Sequence, residues 1–270
     1  RFNTLQMGIV STERILTLLD STDYIQNNGT IQADHVEGKI EFSDVTFAYQ
    51  EPEWVVRNVS FQVEAGKTCA IVGATGAGKS SIIGLLGRLY DCQSGEIKVD
   101  GVALTSYEIG SLRKNIAVVL QDVFLFSSSI AYNIHLGDES ITHEKMVEAA
   151  KAVGVHDFIL SLPGGYEYEV KERGATLSVG QRQLISFVRA LVHNPKIIVL
   201  DEATSSVDSE TEVLIQEAIS TLMKGRTAVV IAHRLSTIRN SDQILVMDKG
   251  EIKERGTQDE LLALDGLYAQ

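Results

Sequence analysis

A chain of 270 residues with 44% hydrophobic content can fill one large domain, or a core with a smaller subdomain, which excludes intrinsic disorder. Its 24 basic and 36 acidic residues leave a net charge of −12, which repels polyanions and argues against nucleic acid as a partner. No apolar run approaches the ~18 residues of a spanning helix, no signal peptide is evident, and Cys69 and Cys92 form neither a metal-ligand nor a redox spacing, so a soluble chain with packed thiols in a reducing cytoplasm is expected.

The sequence starts at Arg1 without a Met, from which a fragment with its native context upstream is expected. Apolar residues Leu5, Ile9, Leu16 and Leu19, interrupted by Thr12, form one face of a helix over residues 1–20. Such a face wants a partner. Asp20 to Gly38 is polar, carries the turn signal Asn27-Asn28-Gly29 and reads as a linker. Alternation over Lys39–Tyr49 and again over Trp54–Val63 predicts two half-buried strands. Further strands are predicted at Thr68–Val72, Glu96–Val99, Ile116–Val119, 197–200, Thr227–Ile231, Gln243–Met247 and Glu251–Glu254, the last two joined by a short turn at Asp248-Lys249-Gly250. Helices are predicted at 79–89, 143–153, 180–193, 209–223 and 257–264. Between about 128 and 192 strand signals vanish, predicting a helical subdomain inserted into an α/β core.

The segment GATGAGKS, Gly73 to Ser80, lies between a predicted buried strand and a predicted helix, the context that a phosphate-binding loop requires. Its residues Gly73, Ala74, Thr75, Gly76, Ala77 and Gly78 can wrap their amides around phosphate oxygens, and the helix beginning near Lys79, Ser80 and Ser81 adds partial positive charge. Lys79 would reach the β- and γ-phosphates of ATP, and Ser80 with Asp201 would hold Mg²⁺. Asp201 and Glu202 follow the oily run Ile197-Ile198-Val199-Leu200, which reads as a strand covered on both faces, so both acids sit at its C-terminal edge, where ligands of open α/β sheets bind. A capping Asp beside an exposed Glu is the plainer alternative. With Asp201 assigned to the metal, Glu202 is the candidate general base.

LSVGQRQ, Leu177 to Gln183, together with FAYQ, VLQD, IIVLDE, SSVD and IAHR in this order, resembles the ATP-binding cassette (ABC) ATPases over residues 37–270. The resemblance implies an α/β P-loop NTPase core of RecA-like type, with a mixed sheet, N-terminal antiparallel strands and the inserted helical subdomain. It implies that Tyr49 stacks on adenine with Val56 nearby, that Gln121 offers an amide oxygen to Mg²⁺ or to the attacking water, and that His233 orients the water beside Glu202. Ser178, Gly180, Gln181 and Asp208 would serve the nucleotide of a second cassette across a head-to-tail dimer. Val179 departs from the family's usual Gly at that position, which bears on how closely a phosphate approaches.

EVKERG, Glu169 to Gly174, and QMGIVSTERILTLLD, Gln6 to Asp20, resemble parts of multidrug and lipid A flippase exporters. The implied organisation is a helix and linker at 1–36 from an upstream transmembrane domain and a nucleotide-binding domain at 37–270, held at the cytoplasmic face of the plasma (inner) membrane. A soluble chromosome or repair ATPase would need a long coiled coil between Ser80 and Leu177, where no sustained heptads occur. A catalytically silent regulatory cassette would be expected to lack the base or the histidine, and both are present. His35, His135, His143, His156 and His193 receive no role.

Overall fold

Ile197-Ile198-Val199-Leu200 does not alternate because both of its faces are buried: Ile197 and Val199 enter one core, Ile198 and Leu200 the other. The neighbouring strand divides the same way, with Val229 and Ile231 on one side and Ala228 and Val230 on the other. Each fully buried aliphatic side chain of this kind is worth about 1.5–3 kcal/mol, and the sheet contributes such side chains to both cores.

The computed structural model describes residues 2–20, 25–171, 174–201, 209–232 and 235–269. In chain order its elements are α1 (Phe2–Leu19), β1 (Ile40–Ala48), β2 (Trp54–Val63), β3 (Thr68–Gly73), α2 (Lys79–Leu86), β4 (Ser94–Val99), β5 (Val102–Ala103), α3 (Ile109–Lys114), β6 (Ile116–Val119), β7 (Ser128–Ser129) and α4 (Ile130–His135). They continue with α5 (His143–Val153), α6 (His156–Ser161), β8 (Glu169–Val170), α7 (Val179–Val192), β9 (Ile197–Asp201), α8 (Ser209–Met223), β10 (Thr227–Ile231), α9 (Leu235–Arg239), β11 (Gln243–Asp248), β12 (Glu251–Gly256) and α10 (Gln258–Ala263). A mixed sheet runs β12-β11-β3-β10-β9-β6, parallel except for β12, and an antiparallel sheet runs β2-β1-β4-β5. One core lies between the two sheets and encloses α2; the other holds α4, α5, α7 and α8 against the opposite face of the mixed sheet. This is the expected mixed α/β fold with N-terminal antiparallel strands.

Every strand and helix expected from periodicity appears, with ends shifted by a few residues at most. Sequence reading missed α3, α4, α6 and α9, each six residues or fewer and too short to display a helical period. Two of them start at a side-chain cap, Glu108 for α3 and Ser129 for α4. The stretch 128–192 also holds a strand pair, β7 with β8, where no strand was expected. At the β11–β12 turn Lys249 and Gly250 both have positive φ, 47° and 83°, as a two-residue hairpin turn demands.

Residues 25–38 carry neither helix nor strand, yet they are clipped to the body. Ala33 and Val36 are buried. The Thr30 and Ile31 amides donate to the Ser106 carbonyl, Ala33 N–H donates to Ser111 Oγ, and the Asn27 amide donates to Glu108. Arg88, fully buried just past α2, donates to the carbonyls of Gln26, Leu104 and Tyr107 and to Asp91. By contrast Met7, Ile9, Ile15, Leu16, Leu18 and Leu19 of α1 are exposed. No helix among the described residues is long and apolar enough to cross a membrane.

Candidate phosphate-binding site

In the mixed sheet β3, β10, β9 and β6 lie side by side and parallel, so their C-terminal ends open at one edge. β3 leads into Gly73 to Ser80, β9 ends on Asp201, and β6 precedes Gln121. A cavity of about 420 Å³ opens there, lined by Thr75, Gly76, Gly78, Lys79, Ser80, Ser81, Gln121 and Asp201, with Val55 and Ile231 as its apolar wall.

Gly78 caps α2 in a left-handed conformation, φ 96° and ψ 4°, with no side-chain cap, so the first turn of the helix meets the cavity through backbone N–H groups. Lys79 folds back across the loop, its Nζ donating to the Gly73 carbonyl at 2.7 Å and the Ala74 carbonyl at 2.9 Å. Burial pushes the Lys79 ammonium below the ordinary lysine range, and the Asp201 carboxylate partly opposes that shift. Ser80 Oγ donates to Asp201 Oδ2 at 3.2 Å. Ser80, Asp201 and Gln121 thus bring hydroxyl, carboxylate and amide oxygens to one cavity, an all-oxygen donor set that suits Mg²⁺. Ala74 is exposed and Ala77 buried, and neither lines the cavity.

Tyr49 stands beside this group, half exposed, with its hydroxyl 3.0 Å from Ser81 Oγ. Val56, expected beside it, points the other way: its side chain is buried in the core between the sheets, and Val55 lines the cavity instead. The cause is a break in the strand's phase. Val59, Phe61 and Val63 alternate inward, but Asn58 has φ 49° and the β1–β2 register shifts between Val45 and Phe47, so the inward position falls on Val56 rather than Val55. A β-branched residue one place before the expected one is a signal that alternation alone cannot give.

Ser178, Gly180 and Gln181 do not line this cavity. They form the start of α7 as a capping box: the Gln181 N–H donates to Ser178 Oγ and the Ser178 N–H to Gln181 Oε1. The Ser178 hydroxyl accepts in this cap and keeps its proton to donate. Val179 is exposed at the same helix end. Glu202, Asp208 and His233 lie outside the described residues, and Asp201, immediately before Glu202, closes β9 at the cavity.

Behind α7, Arg189 ties the helix to the segment that follows Gln121. Its guanidinium donates to the carbonyls of Phe124 and Asn133, and buried Asn133 in turn bonds both backbone groups of Phe126. Beside them a groove of about 510 Å³ runs along β6, with Lys114, Leu120, Phe124 and His193 among its lining.

A strand, a phosphate loop and a helix start, with an acid at the neighbouring strand end, define a P-loop nucleotide-binding protein. Comparison with known proteins narrows the class. The family model described as ABC transporter matches residues 56–205, more than half of the chain. The chain is 49% identical over 269 residues to an uncharacterized ABC transporter ATP-binding protein, YknV, of Bacillus subtilis (strain 168), covering 99% of this chain and 44% of that protein. It is 46% identical over 267 residues to the ATP-dependent lipid A-core flippase of Haemophilus influenzae (strain 86-028NP), covering 98% of this chain and 45% of that one. A solved structure described as a bacterial Atm1-family ABC exporter with ATP bound superposes with a TM-score of 0.85 at 39% identity, over 99% of this chain and 47% of its own. The chain belongs to the ABC transporter family and matches the ATP-binding part of exporters. It spans less than half the length of these relatives.

Proposed function

We propose that this chain is the ATP-hydrolysing cassette of an exporter, which closes on a second cassette around two ATP molecules and opens again after hydrolysis. The observation that carries the reading is the contact of Ser80 with Asp201 at the mouth of the phosphate loop, beside the Lys79 ammonium. Backbone amides of the loop and of the first turn of α2 bind the phosphates, and Lys79 swings from its two carbonyl acceptors to the β- and γ-phosphates. Ser80, Gln121 and Asp201 would hold Mg²⁺, which neutralises phosphate charge when bound. Glu202 acts as general base on the attacking water, and His233 orients that water. Tyr49 offers its exposed ring to adenine.

The Ser178 hydroxyl and the Gly180 and Gln181 backbone, at the N-terminal end of a long helix, complete the phosphate site of the second cassette, with Asp208 along the same interface. The groove beside Gln121 takes the cytoplasmic part of a transmembrane domain upstream in the same polypeptide, and the apolar face of α1 packs against it. In the full-length protein the cassette then sits at the cytoplasmic face of the membrane.

The test is ATPase rate against protein concentration with Mg²⁺ present and Lys79→Ala as the blank. A rate that rises faster than linearly supports two-cassette sites. A strictly linear rate, or none above the blank at any concentration, points to a missing different partner or to a cassette that closes only with its membrane domain.

A further inference from the structure

The ring of Tyr49 is held from three directions. It meets Phe47 edge to face, with centroids 4.9 Å apart and planes at 80°, and meets Tyr90 at 5.1 Å and 85°; Phe47 and Tyr90 lie 5.5 Å apart and close the triangle. Phe47 is buried and cannot swing, whereas Tyr90 is partly exposed. Tyr90 gains its footing on α2, where Gly84 leaves room for the ring: a Cβ there would stand 3.3 Å from Tyr90 Cδ2. The Leu89 N–H, donating to the Gly84 carbonyl, fixes the turn that delivers Tyr90. The third hold is the hydroxyl of Tyr49 on Ser81 Oγ.

Ser81 and Gly84 are three residues apart in one helix and therefore share a face. That helix is the one that follows the phosphate loop. We propose that Tyr90 is a positioning residue for adenine: it braces Tyr49 against α2, so that base platform and phosphate cradle form one rigid unit set for the length of a nucleoside triphosphate. The inference rests on the reading of Tyr49 as the adenine platform. An unbraced Tyr49 must be ordered by the ligand itself, which lowers affinity at the base end and leaves the phosphate end untouched.

Equilibrium binding of two probes to this chain, both with Mg²⁺, separates the ends: ATP and inorganic tripolyphosphate. Tyr90→Leu is expected to weaken ATP roughly three- to tenfold while tripolyphosphate stays unchanged, because the lost edge-to-face contact acts only through Tyr49. Tyr90→Phe, which keeps the ring, is expected to bind both probes as the parent does. An unchanged ATP Kd in Tyr90→Leu, or equal weakening of both probes, overturns the proposal. Tyr49→Ala distinguishes its failure from that of the underlying reading. If Tyr49→Ala loses ATP affinity and Tyr90→Leu does not, only the brace falls; if Tyr49→Ala loses none, the adenine platform falls and the brace with it.

Discussion

Two glycines of the phosphate loop share a backbone conformation but not surroundings, and replacing each with alanine separates two physical costs. Gly76 has φ 82° and Gly78 has φ 96°, so an alanine at either position incurs the left-handed penalty of about 1–2 kcal/mol. At Gly76 a Cβ would meet nothing within 4 Å, whereas at Gly78 it would stand 2.6 Å from the Val55 carbonyl oxygen, against 3.4 Å for ordinary contact. That carbonyl is not free to retreat: two residues on, the Arg57 N–H donates to Gly250 O, and Gly250 N–H donates to Ala77 O, which ties strand, turn and loop together. Forcing an opening of roughly 0.8 Å in such a packed place costs a further ~1–3 kcal/mol. Gly76→Ala should therefore lose about 1–2 kcal/mol and Gly78→Ala about 2–5 kcal/mol. Urea unfolding without nucleotide, at unchanged m-value, measures both. Equal losses, or the larger loss at Gly76, would refute the close-approach argument.

Glu202→Gln is expected to retain ATP binding, nearly lose turnover and trap a nucleotide-bound dimer, read by ATPase assay and size-exclusion chromatography; unchanged turnover sinks the base assignment. Arg88→Met removes the donor from three carbonyls, so a loss of about 3–5 kcal/mol in urea unfolding is expected. Amide exchange at Thr30 and Ile31 should quicken in the same variant. Glu108 accepts hydrogen bonds from the Gly110 and Ser111 amides and from Asn27, which hold its carboxyl below the ordinary 4.5. A depressed folded pKa gives stability that is complete above the ordinary value and lost as pH falls through the folded one. Glu108→Gln should accordingly flatten the acid limb of stability below pH 4.5, and an unaltered limb would show that the cap carries no charge-linked stability.

The phosphate loop and its acid were legible because their chemistry is local: Gly73 to Ser80 needs glycines in sequence, and Asp201 needs only the end of an oily run. The strands of the mixed sheet were legible because burial on both faces leaves an unbroken apolar signature. What escaped depends on single backbone choices. The positive φ at Asn58 exchanges Val55 for Val56 at the cavity, and no periodicity records it. Short helices such as α3 owe their existence to a cap and to packing, with too few turns to show a stripe. The hold on Tyr49 joins residues from three separate stretches, Phe47, Ser81 and Tyr90, whose proximity only the folded chain reveals.

The clipping of residues 25–38 has a practical consequence for exchanging this cassette between proteins. A splice at the first strand, near residue 38, would discard Ala33 and Val36 from the core and strip buried Arg88 of its Gln26 acceptor. The graft would leave the core between the sheets without two of its apolar side chains and a guanidinium short of one partner. A junction placed ahead of Ile25 transfers the strap with its docking sites, and the recipient then receives a unit whose surface is finished.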